Sequence, residues 1–246
     1  MSAAAIQIVT QFRMDVRDRG TLLVFYAVPL AFYLVVGAVF SAANPEIIPI
    51  LSATMVVFSV SMGAFIGIPP TLVKLRESGT LRAYQVSGIP IRAVILSIGV
   101  SALAHLSIVS AVIAVTAPLL FGAELPGSAI GFVAVLTALL VCSVAVGLLI
   151  GAVCTTQSMA MMVSQAVFMP TLLLSGIMFP AHLLPTALAP LGEILPATHA
   201  MHAFNALAYE LPVDRSPGIS LAAIGAITVA ALAAAIWRYG KITRVS

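Results

Sequence analysis

Charge is scarce in this chain of 246 residues: Asp, Glu, Lys and Arg together make up 8% of it, against 61% hydrophobic residues. A soluble domain carries about a quarter of its residues as charges. A chain this poor in them, with a mean hydropathy of +1.16, has too little polar material to cover itself in water. Cysteine is nearly absent too. Cys142 and Cys154 lie about twelve residues apart, roughly 18 Å along a helix and beyond disulfide reach. A disulfide framework, a zinc spacing and a haem motif are thereby excluded, and both thiols read as packing residues. The chain also lacks G-x-x-x-x-G-K-[ST], so it has no phosphate-cradling loop of its own.

What is present instead is a series of six apolar stretches, at residues 21–40, 47–69, 91–120, 128–151, 159–179 and 218–237. Each is long enough to cross a hydrocarbon core of about 30 Å. None holds an Asp, Glu, Lys or Arg beyond Arg92 at the edge of the third. The pattern is that of an all-α polytopic membrane protein with six transmembrane helices, one domain over 1–246. It leaves no room for a folded extramembrane domain of the roughly 100 residues that is typical. Ion-coupled transport needs ionisable groups at depth, and His105 is the one deep titratable candidate. A histidine hydrogen-bonded to a neighbouring helix is the simpler reading of it.

Basic residues set the orientation. Arg13, Arg17 and Arg19 precede the first stretch, Lys74, Arg76, Arg82 and Arg92 lie between the second and third, and Arg238, Lys241 and Arg244 follow the sixth. With an even number of crossings these all share one side, while Arg215, Glu46, Glu124, Glu193, Glu210 and Asp214 fall on the other. Both termini are therefore expected on the cytoplasmic side of a prokaryotic plasma membrane. Ser41-Ala42-Ala43 looks like a signal-peptidase site, but the apolar run before it is longer than an h-region. Residues 1–19 also have their own organisation: Ile8, Val9, Phe12 and Val16 form one helical face and Gln7, Gln11, Asp15 and Asp18 the opposite one. This is the pattern of an interfacial helix along the inner leaflet, in contact with lipid; the alternative is a frayed tail.

The segment at 71–92 is the longest polar stretch on the basic side. Lys74, Arg76, Glu77, Arg82, Tyr84 and Gln85 make it too polar for lipid, and Ser87-Gly88 followed by Pro90 supplies a helix stop and a new start. A short helix at the membrane surface fits, against an ordinary basic loop that only sets topology. Residues 180–212 are moderately apolar but broken by Pro180, Pro185, Pro190 and Pro196 into pieces too short to span. Two short re-entrant helices dipping into the outer leaflet would bury such backbone. Glu193, His199 and His202 could suggest a metal, with the two histidines on one helical face; solvated polar groups are the plainer reading.

In order and spacing these features resemble the permease subunits of ABC-2 type exporters, over nearly the whole chain. The resemblance rests on the amphipathic start before six spans, and on Glu77-Ser78-Gly79-Thr80-Leu81 in the first loop on the basic side. It rests also on Ser175-Gly176-Ile177-Met178-Phe179-Pro180 at the end of the fifth span, then Leu184-Pro185 and Leu195-Pro196-Ala197-Thr198-His199. Gly88-Ile89-Pro90 departs from the commoner Ser-Pro, and the second loop on that side, 154–158, carries no charge. The family implies that Arg76, Glu77, Gly79, Thr80, Leu81 and Arg82 form a coupling helix docking on a separate ATPase subunit, present in two copies. It implies that spans two and five, through Ser59, Met62, Phe168 and Met169, line the cargo route. Phe179, Pro180, Pro185, Glu193, Pro196 and His199 would form an outer gate.

The implied chain has no cofactor of its own, ATP and magnesium being held by the partner. It pairs with a second permease copy or a paralogue and has no business with nucleic acid. Its cargo would be apolar or amphipathic, a drug, antibiotic or lipid, because the route lacks fixed charge. Methionines at 55, 62, 161, 162, 169 and 178 suit variable cargo and equally suit packing. Gly63 with Gly67, and Gly147 with Gly151, permit close helix approach, within a subunit or between two. An ion-coupled secondary transporter and a non-transporting membrane scaffold are the alternatives.

Overall fold

The computed structural model describes residues 3–43, 45–178, 188–213 and 215–245. Helix α1 (Ala3–Arg17) precedes six helices long and apolar enough to cross a membrane: α2 (Arg19–Ala42), α3 (Ile48–Glu77), α5 (Ile91–Phe121), α6 (Ala129–Val153), α7 (Gln157–Leu174) and α9, whose helix runs Pro217–Val245. Two shorter helices, α4 (Thr80–Val86) and α8 (Pro196–Leu207), lie at opposite ends of the bundle. No strand occurs among the described residues. The chain is a multi-pass membrane protein.

Helix α3 is the axis of the bundle. Its apolar window is 83% buried, against 22% for α7 and for α9, so it is enclosed by protein while those two face outward. Phe58 of α3 stacks on Phe32 of α2 at 4.1 Å and meets Phe168 of α7 at 5.9 Å. Its small residues are used up inside the chain. A Cβ on Gly63 would sit 2.5 Å from Leu106, and one on Gly147 of α6 would sit 2.4 Å from the Ala64 carbonyl oxygen. Between helices in lipid, such close packing supplies most of the association energy. Both glycine pairs named above therefore serve contacts within the subunit.

Two π-helical turns, Leu23–Ala27 in α2 and Gly63–Gly67 in α3, have one cause. In each, proline stands two residues beyond the last residue of the turn, Pro29 in the first case and Pro69, followed by Pro70, in the second. A proline lacks the N–H and collides with the carbonyl four residues back; widening the preceding turn relieves both faults without ending the helix. This is why α3 runs on to Glu77. The fifth span behaves oppositely: its helix ends at Leu174, and Gly176 beyond it has φ +80°, a left-handed stop that suits glycine.

Helix α1 is turned differently from the expectation of a polar face in solvent. Ile8, Gln11, Phe12 and Asp15 are its partly buried face, while Ile6, Val9, Arg13, Val16 and Arg17 are exposed. The reason is polar material on α5. Ser101 donates to Asp15 Oδ2 at 2.5 Å, Gln11 donates to Oδ1 at 2.8 Å, and His105 Nε2 stands 3.9 Å from Oδ2. Tyr26 of α2 meets His105 Nδ1 at 2.7 Å, and Phe12 stacks on the imidazole at 4.4 Å. His105 is thus held by a neighbouring helix, as expected, with a carboxylate beside it as well. Tyr33 bonds Thr116 at 3.1 Å higher up, so α2 and α5 run side by side. The first turns of α5, a helix of 31 residues and so about 46 Å long, overhang α2 at the basic end, and α1 packs along that overhang.

Candidate functional site: the surface at the basic end

The connection from α3 to α4 is two residues long. Ser78 and Gly79 make it, Gly79 with φ +73°, and the Ser78 and Thr80 hydroxyls bond across it at 2.8 Å. Helix α4 closes with Ile89 N–H donating to Tyr84 O at 2.9 Å and Gly88 at φ +78°, a glycine-terminated cap, and Pro90 then opens α5. Leu81 is buried and fastens α4 to the bundle. Gly79, Arg82, Ala83 and Val86 recur at helical spacing and are exposed; Val86, at 85% exposure, is a bare apolar side chain on a polar loop.

Arg76, half-buried, and Glu77, exposed, reach the ends of other helices. The Arg76 guanidinium donates from Nη2 to the Gly151 carbonyl at 3.0 Å and also to the Cys154 carbonyl. It thereby caps the carboxyl end of α6, where helix carbonyls lack partners and the dipole is negative. Glu77 Oε1 accepts from the Gln157 N–H at 3.3 Å, at the positive amino end of α7. Burial pushes the Cys154 thiol up, with the Arg76 charge pulling the other way. Cys142 and Cys154 are both buried and free.

Of the four residues expected on a route, Ser59, Met62 and Phe168 are buried within the chain and Met169 is 45% exposed. The Ser59 hydroxyl bonds back to the Val56 carbonyl at 3.0 Å. The open surface is on α7 instead, where Met162, Gln165, Ala166, Met169 and Leu173 form one exposed stripe. Gln165, which the sequence reading passed over, puts an amide on the outside of a membrane helix. An isolated polar residue in an apolar run was the signal available for it.

At the opposite end, Phe179, Pro180 and Pro185 lie outside the described residues. Pro196 starts α8, Glu193 pairs with Arg215, and His199 Nε2 meets the Glu193 carbonyl at 2.9 Å. Thr198 donates to the Gly192 carbonyl at 2.7 Å. Among the described residues no group of three His, Cys, Asp or Glu is placed to hold a metal. Helix α8 lies against α6, its Leu207 carbonyl only 2.1 Å from where a Cβ on Gly131 would be.

A family model described as ABC-2 type transporter matches residues 6–209, which takes in α1, the α3–α4 connection and α8. The chain belongs to the ABC-2 type transporter family. It is a transmembrane permease subunit, of a family that implies an ABC ATPase partner. No curated protein matches this permease.

Proposed function

We propose that this permease is the membrane half of an ATP-driven exporter. It works as a pair with a second copy or a paralogue, and two copies of a separate ABC ATPase drive it from the cytoplasm of a prokaryotic cell. The observation that carries the reading is the exposed Gly79, Arg82, Ala83, Val86 face of α4, at the basic end of a six-span bundle of this family. A cation, a bare valine and two small residues on one short helix make a knob that a cleft in a soluble subunit can seat. The stripe on α7 supports the rest. An amide facing hydrocarbon is costly, so Gln165 favours a neighbouring copy or a cargo space against that surface, and the flexible Met161, Met162 and Met169 suit apolar or amphipathic molecules of varied shape. Export, rather than uptake, follows the family.

The test is gentle purification of the tagged permease with its co-purifying subunits. The expectation is an ATPase that stays with the wild type and whose association weakens at least about tenfold, or about 1.4 kcal/mol, in Arg82→Glu and Val86→Asp. A wild-type permease that emerges without any nucleotide-hydrolysing partner would sink this reading.

A further inference from the structure

Within the coupling reading above, we propose that Arg76 and Glu77 are positioning residues that form a two-pronged brace. The brace carries displacement of α4 into the junction between α6 and α7, instead of meeting the ATPase. Three observations converge on this. The first is a rigid approach: the two-residue turn at Ser78 and Gly79 is stapled by the 2.8 Å hydroxyl bond to Thr80, and Leu81 is buried, so α4 and the last turn of α3 move together.

The second is charge matched to helix ends. A cation touches the carboxyl end of α6 through the Gly151 and Cys154 carbonyls, and an anion touches the amino end of α7 through the Gln157 N–H. Only residues 154–156 separate those two ends. Each charge sits at the helix terminus whose dipole it complements, so exchanging the pair would place both at the wrong ends. The backbones are also close here, since a Cβ on Gly151 would lie 2.7 Å from Leu72 and 3.3 Å from the Pro69 Cα.

The third is a small local core. Val73 of α3, Ile150 of α6, Cys154, and Ala160 of α7 pack together beside the Cys154 carbonyl that Arg76 holds, and Val146 and Val167 join this cluster to the main apolar core. The junction is thus a local unit at the end of α3, joined to the bundle through Val146 and Val167. A push on α4 reaches α7, and with it the Met162, Gln165 and Met169 stripe, through this unit without rearranging the centre of the bundle. The uncharged segment 155–157 is then a receiver of force from within the chain.

The experiment compares Arg76→Gln and Glu77→Gln with the docking variants Arg82→Glu and Val86→Asp in the purified complex. In a Cys142→Ser background, maleimide labelling of buried Cys154 should rise at least about fivefold in Arg76→Gln, because the guanidinium that ties the Gly151 and Cys154 carbonyls to the end of α3 is gone and the junction opens more often. In a Cys142→Ser, Cys154→Ser, Met162→Cys background, ATP with vanadate should change the labelling of position 162 in the parent. In the brace variants that change should vanish while the ATPase remains bound and hydrolyses ATP. Arg76→Lys, which keeps a donor cation, should restore part of the response.

Loss of the ATPase from Arg76→Gln and Glu77→Gln, as from the docking variants, would make these residues part of the docking face and overturn the brace. So would a nucleotide response at position 162 equal to the parent's, or a Cys154 that labels no faster without Arg76. A wild type that retains no ATPase would overturn the exporter reading, while the Cys154 arm would still decide whether Arg76 holds the junction.

Discussion

Asp15 shows how one residue changes the meaning of an element. On a helical wheel it belongs to a solvent face; in the structure it accepts from Ser101 and Gln11 and lies beside His105. Hydrogen bonds to a charged group contribute about 1.5–3 kcal/mol. Asp15→Ala and Ser101→Ala should each lower thermal stability by about that much, and the double variant should lose less than the sum. A fully additive double variant would show that the bond contributes nothing. Asp18, three residues on, caps α2: the Thr21 hydroxyl and then the Thr21 N–H, both at 2.8 Å, hold its carboxyl below the ordinary carboxylate range. A depressed value means that the cap is present above the ordinary range and is lost as pH falls through the lowered one. Asp18→Ala should therefore cost about 1 kcal/mol near neutrality, and the difference in melting temperature between variant and parent should shrink in acid. A difference unchanged at low pH would count against the cap.

At the scale of elements, the spans were legible because length and hydropathy are properties of the chain alone. The helix stop at Gly88 and start at Pro90 were legible for a similar reason, since backbone freedom belongs to the residue. The inward turn of α1 was not, because it depends on Ser101 and His105 some ninety positions away, and no local pattern announces a distant partner. The same holds for Arg76 and Glu77, whose acceptors and donor are backbone groups of other helix ends. On α4, Arg82 is exposed as its polar type implied, while Val86 was hidden by its apolar type. Glycines on two helices make a sharp test of packing. Gly147→Val would force α6 off the Ala64 carbonyl, and overpacking of this kind costs about 1–3 kcal/mol or more. Gly225→Ala of α9, with nothing within 4 Å, should be neutral or gain up to about 1 kcal/mol. Equal effects at the two sites would contradict the close approach at Gly147 and the open space at Gly225.

For the whole molecule, the burial of α3 and the bareness of α7 divide the bundle into an inside and an unfinished outside. If a second copy completes the α7 surface, Gln165→Cys in an otherwise cysteine-free chain should form a disulfide dimer in native membranes. Val35→Cys on the exposed side of α2 serves as the comparison site. Cross-linking at neither or equally at both would place the partner elsewhere or nowhere.

The seat of α1 also imposes an order on biosynthesis. Its carboxylate is the first charged group of the chain that must leave water, yet the hydroxyl and imidazole that receive it are not made until the ribosome has passed residue 105. A nascent chain with two spans inserted has nowhere to put Asp15, so the amino-terminal helix has to wait at the surface and dock as the last step of a unit begun at its own end. Chains truncated before α5 should leave that helix open to protease, and adding α5 should close it.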